Sequence, residues 1–349
     1  MKTFAAAFGA LLMSALSCTK PSYATEIKVA FLPCGTINDK SWSEAGYVGV
    51  VAAKEALAAK GITMTFAYSE NTPPARVEGA ARDYASQGYS IVILHCGTYG
   101  QAAVNAARAF PKTIFLHSTA PADKDPPTNF YYYDIAQQEG SFIAGYLAGL
   151  MSKKDKVAAI GGFTFPAMVR QVEGFLLGAR YSKPEIQLNR SYINTFDDAV
   201  KAKEAAQAQI DSGVDVIYGA TDQAARGIFV AAQNAGVYAV ADYADQSALA
   251  PKAILASVLY DFGGLVKLMI VDAAEGKLDH SKSYVLGMHD GFGTVVLNPG
   301  SAATIPQDAK DKVASITSEI TANKMIIPFG ALSASGSADK LDLSSLVSK

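Results

Sequence analysis

From residue 26 onward, short apolar runs alternate with longer stretches in which apolar positions recur every three to four residues. Runs at 27–32, 62–68, 91–95 and 113–117 have the length and β-branched content of buried strands. Between them, 44–60, 75–87 and 101–110 carry helical spacing, and Gly61 and Gly88 end the first two. This alternation predicts a parallel sheet covered by helices on both faces. Pro121, Pro126 and Pro127 mark a loop before a further run at 130–133. The scheme then repeats, with helices over 137–151, 169–181, 199–212 and 224–235 and strands over 157–160, 186–193, 214–218 and 237–241. Gly140, Gly145 and Gly149 allow the first of these helices to pack closely. Two similar α/β halves predict two doubly wound lobes with a cleft at the carboxyl ends of their strands. Residues 331–349, rich in Ser, Ala and Gly, read as a loose, flexible tail.

The first 24 residues fit a different pattern. Lys2 precedes an apolar run over 4–16, too short for a comfortable transmembrane helix, and Ser22-Tyr23-Ala24 fits a cleavage site. Residues 1–24 are therefore expected to be a signal peptide. A competing reading places a lipid anchor on Cys18, although Ala15-Leu16-Ser17 lacks the usual leucine three residues upstream. Loss of the segment removes two lysines and no acidic residue, moving the formal charge from −2 to −4. The length of 349 residues favours two domains, and 50% hydrophobic against 18% charged residues argues against disorder. Near-neutral charge without a basic run argues against nucleic acid as a partner.

Beyond residue 24 only Cys34 and Cys96 remain, each following a strand-like run. On neighbouring parallel strands their sulfurs would share one sheet end, so a disulfide is open to them; two small buried thiols is the other reading. Enzymatic signatures are missing: no G-x-G-x-x-G, Walker A loop, G-x-S-x-G or H-E-x-x-H occurs. Gly161-Gly162 lacks the third glycine, and the histidines at 95, 117, 280 and 289 lack metal spacing. The expectation is a protein without catalysis, cofactor or metal.

The segment Cys34-Gly35-Thr36-Ile37-Asn38-Asp39-Lys40-Ser41-Trp42 resembles the N-D-K-S-aromatic motif of the basic membrane protein family. That family comprises substrate-binding proteins of ABC importers, including purine nucleoside receptors. The glycine-rich stretch 139–149, Gly161-Gly162 with Pro166, Gly174-Phe175, Gly178-Ala179, and the runs 213–217 and 236–239 agree in order and spacing. The resemblance covers about residues 27 to 329. It implies a type I periplasmic-binding-protein fold, with two lobes, a three-strand hinge and a ligand held between them. On this reading the N-terminal lobe takes 25–134 plus 259–288 and the C-terminal lobe 135–258 plus 289–330.

The resemblance also implies a ligand site. It places Trp42, the only tryptophan, as an aromatic that stacks on a flat ligand ring; core packing is its bland alternative. Asn38 and Asp39 stand at the cleft mouth, where Asp39 and Ser41 could instead cap the following helix, a role that suits Ser41 better. In relatives that bind nucleosides, an Asp in a V-D-x-D-Q segment and a Lys after an S-V-V strand grip the ribose. Here Asp242-Tyr243-Ala244-Asp245-Gln246 and Ser257-Val258-Leu259-Tyr260 put Tyr243 and Tyr260 at those positions, and a one-residue slip would substitute Asp242. Tyr99, Asp134, Phe163, Thr221 and Asp222 are added as strand-end positions, with Phe163 closing an aromatic sandwich and Asp39 and Asp222 accepting hydrogen bonds from the ligand. The expected activity is capture of a purine-type ligand, a nucleobase in preference, by a periplasmic monomer that serves an ABC permease and ATPase. Alternatives are a nucleoside or flavin-like ligand, a sensor for a chemoreceptor or kinase, and an exported nucleoside-processing enzyme.

Overall fold

The computed structural model describes residues 26–119, 125–302 and 304–346. The signal segment and Cys18 lie outside the described residues. The first part of the chain holds β1 (Glu26–Pro33), α1 (Trp42–Ala58), β2 (Thr63–Tyr68), α2 (Pro74–Ser86), β3 (Ile91–His95), α3 (Gly100–Ala109), β4 (Ile114–Ser118) and β5 (Phe130–Ile135). The second holds α4 (Gln137–Met151), β6 (Lys156–Gly161), α5 (Pro166–Ser182), β7 (Gln187–Tyr192), α6 (Ala199–Asp211), β8 (Val216–Ala220), α7 (Ala225–Ala235), β9 (Tyr238–Tyr243) and β10 (Ile254–Tyr260). The chain returns through α8 (Phe262–Ala274), β11 (Val285–Leu286), β12 (Gly293–Leu297), α9 (Pro299–Ala302) and α10 (Gln307–Thr321).

These strands form two six-stranded sheets, ordered β11-β5-β4-β3-β1-β2 and β12-β10-β9-β8-β6-β7. The only antiparallel pairing among them joins β12 to β10. The central strands β3 and β8 are buried at every residue, as strands covered on both faces must be. In each sheet the first strand of the unit lies between the second and third, so strand order reverses beside it and opens a crevice at the strand ends. The sixth strand of each sheet comes from the returning segment, which the apolar pattern did not predict. Helix α8 packs on α1 in the first lobe, whereas α4 packs on α5 in the second. The chain therefore crosses between lobes three times, over 135–137, 260–262 and 286–293.

Local chemistry explains several boundaries. Asp39, not Ser41, caps α1: its carboxylate accepts from the backbone N–H groups of Ser41 (2.8 Å), Ser43 (2.9 Å) and Glu44 (3.0 Å). Asp198 caps α6 in the same way. The glycines foreseen in α4 serve close approach; a Cβ on Gly145 would run into the backbone carbonyl of Phe175 in α5.

Cys34 and Cys96, at the ends of the paired strands β1 and β3, are joined with Cα atoms 5.4 Å apart. The bridge closes a loop with a sequence separation of 62, so reduction should cost about 2–4 kcal/mol of stability. Thiol titration of unreduced, denatured protein should find neither cysteine free, and the urea midpoint should fall on adding reductant. Two reactive thiols would contradict the bridge.

The expected loose tail is a correction. Over its described residues, 331–346, the segment is docked on the second lobe. Leu332, Ala338 and Leu346 are buried. Glu173, itself buried in α5, accepts from the backbone N–H groups of Gly336 (2.9 Å) and Ala338 (2.9 Å). Arg180 donates to the carbonyls of Ala338 and Leu341, and Arg190 pairs with both Glu173 and Asp339. Small residues here let a strap lie flat on α5, so Ser/Gly content was a poor guide to order.

Candidate functional site

The strand ends of both sheets meet around an inner cavity. Its lining alternates between lobes. Cys34, Gly97 and Thr119 come from the ends of β1, β3 and β4, Trp42 from the start of α1, and Gln137 from the first crossing. Phe165, Ala167, Met168, Phe196, Asp222 and Tyr243 come from the second lobe. Phe165 reaches across the cleft, since a Cβ on Gly97 would lie 2.6 Å from its ring. The cleft is thus closed on an aromatic interior.

Trp42 is both core and wall, so the two roles foreseen for it are not exclusive. It is 7% exposed, and His95 stacks on it at a ring distance of 4.5 Å and an angle of 16°. Its indole N–H donates to the carbonyl of His95 at 3.0 Å. His95 in turn is held by two partners: Nε2 lies 3.2 Å from the Trp42 carbonyl and Nδ1 lies 2.7 Å from the Tyr133 hydroxyl. A carbonyl can only accept, so Nε2 carries the proton and Nδ1 accepts from Tyr133. Burial holds the His95 imidazole neutral, with its pKa lowered to about 3. This ring is therefore a fixed platform under Trp42. The Tyr243 ring meets Trp42 edge-on at 5.5 Å from the opposite lobe.

Tyr243 and Tyr260 enter the site as flat walls whose hydroxyls are already bonded. Tyr243 donates toward Oε1 of Gln137 (3.2 Å) and Oε1 of Gln171 (3.3 Å), and Tyr260 donates to the Gln137 carbonyl (2.8 Å). Asp242 points the other way, accepting from Nε2 of Gln171 at 2.5 Å. Of the two registers, then, Tyr243 is the residue that faces the cavity. An outer cavity at the cleft mouth shares Asp222 and Tyr243 with the inner one and adds Asp39, Asp245 and Tyr260. Asp245 is exposed, and the backbone N–H of Ser247 keeps its carboxyl below the ordinary range.

Among the described residues, Asp222 is the only acidic or basic side chain on the inner wall. It stands in a 3₁₀ turn, Asp222–Ala224, directly after β8, with φ +54°. Burial, reinforced by the nearby charge of Asp39, pushes its carboxyl up to about 7. The Thr119 hydroxyl and Asp222 Oδ1 have no hydrogen-bond partner within the protein.

The remaining sequence candidates fall elsewhere. Asn38 is exposed and lines neither cavity. The buried Tyr99 hydroxyl donates to the carbonyls of Pro33 and Thr72, so it braces loops in the first lobe. Asp134 is buried in an ion pair with Arg170 at 2.7 Å and is not on the inner wall. Thr221 is fully buried beside the turn and touches neither cavity. Phe163 meets Phe196 edge-on, with rings 4.8 Å apart, and it is Phe165 and Phe196 that present aromatic surface to the cleft. Phe196 sits in the β7–α6 loop, a strand-end position for which no residue had been nominated. Thr119 and Gln137 follow β4 and β5 and obey the same rule. Among the described residues, no group of His, Cys, Asp and Glu could hold a metal ion, and no helix is long and apolar enough to cross a membrane.

Comparison with known proteins agrees with this architecture. A purine-binding protein of Brucella abortus is 29% identical over 271 residues, covering 76% of this chain and 74% of its own. Basic membrane protein A1 of Borrelia garinii is 25% identical, covering 90% of this chain and 92% of its own. The crystal structure of an ABC transporter solute-binding protein from Aeropyrum pernix superposes with a TM-score of 0.74 at 20% identity, covering 87% of this chain and 93% of its own, a likeness of fold. The family model described as ABC transporter substrate-binding protein PnrA-like matches residues 26–328, and the chain belongs to that family.

Proposed function

We propose that this substrate-binding protein captures a purine-type heterocycle, as the free base, and delivers it to an ABC importer after export from the cytoplasm. One observation carries the reading: the inner cavity is walled by four aromatic rings, those of Trp42, Phe165, Phe196 and Tyr243. Among the described residues its polar side chains are few, Thr119, Gln137 and Asp222 chief among them, and none is a cation. Flat π-surfaces with sparse hydrogen-bonding groups suit a neutral planar ring. Tyr243 and Tyr260 stand where nucleoside-binding relatives carry charged ribose contacts, which favours the base over the nucleoside. The name of the Brucella abortus relative points the same way. The bridged Cys34–Cys96 pair fits an oxidising compartment.

The mechanism follows from lobes joined by three crossings. A ring that contacts walls from both lobes interacts fully only when they are closed, so its binding energy shifts the population to the closed form. That form is the one a permease would read. A thermal-shift series tests this: adenine and hypoxanthine should raise the melting temperature by mass action, with adenosine and uric acid giving smaller shifts. A larger shift with adenosine would move the reading to nucleosides, for which the adjoining outer cavity leaves room. No shift with any purine would overturn it.

A further inference from the structure

Two carboxylates from opposite lobes meet where the cleft closes. Asp39 precedes α1 in the first lobe, and both of its oxygens are engaged by the N–H groups of Ser41, Ser43 and Glu44. The turn Asp222–Ala224 of the second lobe seats directly on this cap. A Cβ on Gly35 would lie 3.3 Å from Oδ2 of Asp39 and 3.7 Å from Nε2 of Gln223. The guanidinium of Arg226 reaches the Asp39 carbonyl at 3.5 Å. Asp222 faces the Ser41 hydroxyl and the Trp42 backbone N–H, the one first-turn donor of α1 that Asp39 leaves over.

We infer that closure of the two lobes takes up a proton at Asp222, so that the proton is a second ligand of the cleft, bound together with the heterocycle. The geometry requires it for a simple reason. When the lobes part, Asp222 returns to water and is a free carboxylate. When they close, it becomes half-buried and approaches a second carboxylate, Asp39, which accepts from three N–H donors. Like charges brought together out of water favour the neutral form of one of them.

Arg226, on α7, favours the charged form of Asp222, but it is exposed and acts more weakly than burial and Asp39 do. Lys40, Glu44 and Asp245 line the outer cavity, where water screens them. Asp242 and Tyr243, at the end of β9, add negative charge or none. The inference rests on the closed cleft and deepens the proposed function, but the proton site itself does not depend on which heterocycle is bound.

The sign follows from the two states. The Asp222 carboxyl moves from its ordinary value of 3.8 in the open form to about 7 in the closed form. Closure is therefore strongest at acid pH, weakens about tenfold per pH unit between those values, and is flat above the upper one.

Small-angle scattering of the ligand-free protein between about pH 5 and 8 should show the radius of gyration rising with pH. Emission from Trp42, which loses its contact with Tyr243 on opening, should change over the same window. Asp222→Asn should abolish both dependences. Calorimetry of adenine binding at about pH 6, in buffers of different ionisation heat, should show uptake approaching one proton in the parent and none in Asp222→Asn. The inference is overturned by a radius independent of pH, or by an Asp222→Asn variant that follows the parent curve. If adenine and the other purines fail to bind while scattering responds as expected, the ligand assignment falls and the proton site stands. If adenine binds with no proton uptake, the proton site falls and the ligand assignment stands.

Discussion

Arg170→Ala is expected to destabilise the protein by about 3–5 kcal/mol, one of the largest effects of any single change. Arg170, on α5 of the second lobe, donates to Oδ2 of Asp134 at 2.7 Å, and both side chains are 4% exposed. Asp134 ends β5 at the first crossing, where its other oxygen accepts from the Ile135 backbone N–H (2.8 Å) and the Gln137 amide (3.3 Å). The guanidinium also lies 3.6 Å from the centre of the Phe329 ring. Burial already drives the Asp134 carboxyl upward, and the Arg170 charge is what restrains it. Without the guanidinium an uncompensated carboxylate stays buried between the lobes. The folded pKa then rises further above the unfolded one, so the deficit is full at high pH and shrinks as pH falls and the acid protonates.

Urea midpoints at matched m-values measure this. A double change, Asp134→Leu with Arg170→Met, should recover most of the loss, because an apolar pair of similar volume leaves no charge behind. A cost below about 1 kcal/mol for Arg170→Ala, the level of an exposed pair, would refute the account.

Phe196→Ala is expected to weaken adenine binding by about 5- to 150-fold, from the 1–3 kcal/mol that a base–aromatic stack contributes. Phe196 is half-buried, lines the inner cavity, and is propped by Phe163 and by the backbone at Gly162. Removing the ring takes away part of the second-lobe wall without touching the first lobe. Titration calorimetry reads the affinity, and the melting temperature of the ligand-free variant separates loss of the wall from loss of the fold. Phe163→Ala should cost less affinity, because Phe163 acts only by supporting Phe196. Equal losses for the two variants, or none for Phe196→Ala, would remove Phe196 from the site.

Period and punctuation made the architecture legible. Every element predicted between residues 26 and 241 is present, with its ends displaced by a few residues, because apolar runs of strand length and helical spacing must bury one face each. The apolar pattern did not mark the returning segment, whose lobes only the family resemblance assigned. Strands β11 and β12 have two and five residues, and nothing in so short a run says which sheet will accept it. The strap over 331–346 was misread for a related reason: its order comes from Glu173, Arg180 and Arg190, far away in the sequence.

The site divides along the same line. The family resemblance pointed to Trp42 and Tyr243, and strand-end location to Asp222, since the chain fixes which residues follow a strand. It could not say which way each side chain turns. Phe163 and Phe165 are two residues apart in one loop, and packing against Phe196 decides which of them meets the cleft. Asp134 has the right location but meets a buried arginine, and Asp39 meets the free N–H groups of its own helix before any ligand. The pattern of the sequence thus determined two α/β lobes and their cleft, because periodicity is a local property of the chain, and the family resemblance added the aromatic that enters it. Tertiary structure decided which polar groups remain free to act, because hydrogen bonds and ion pairs between distant residues claim their partners only once the lobes have come together.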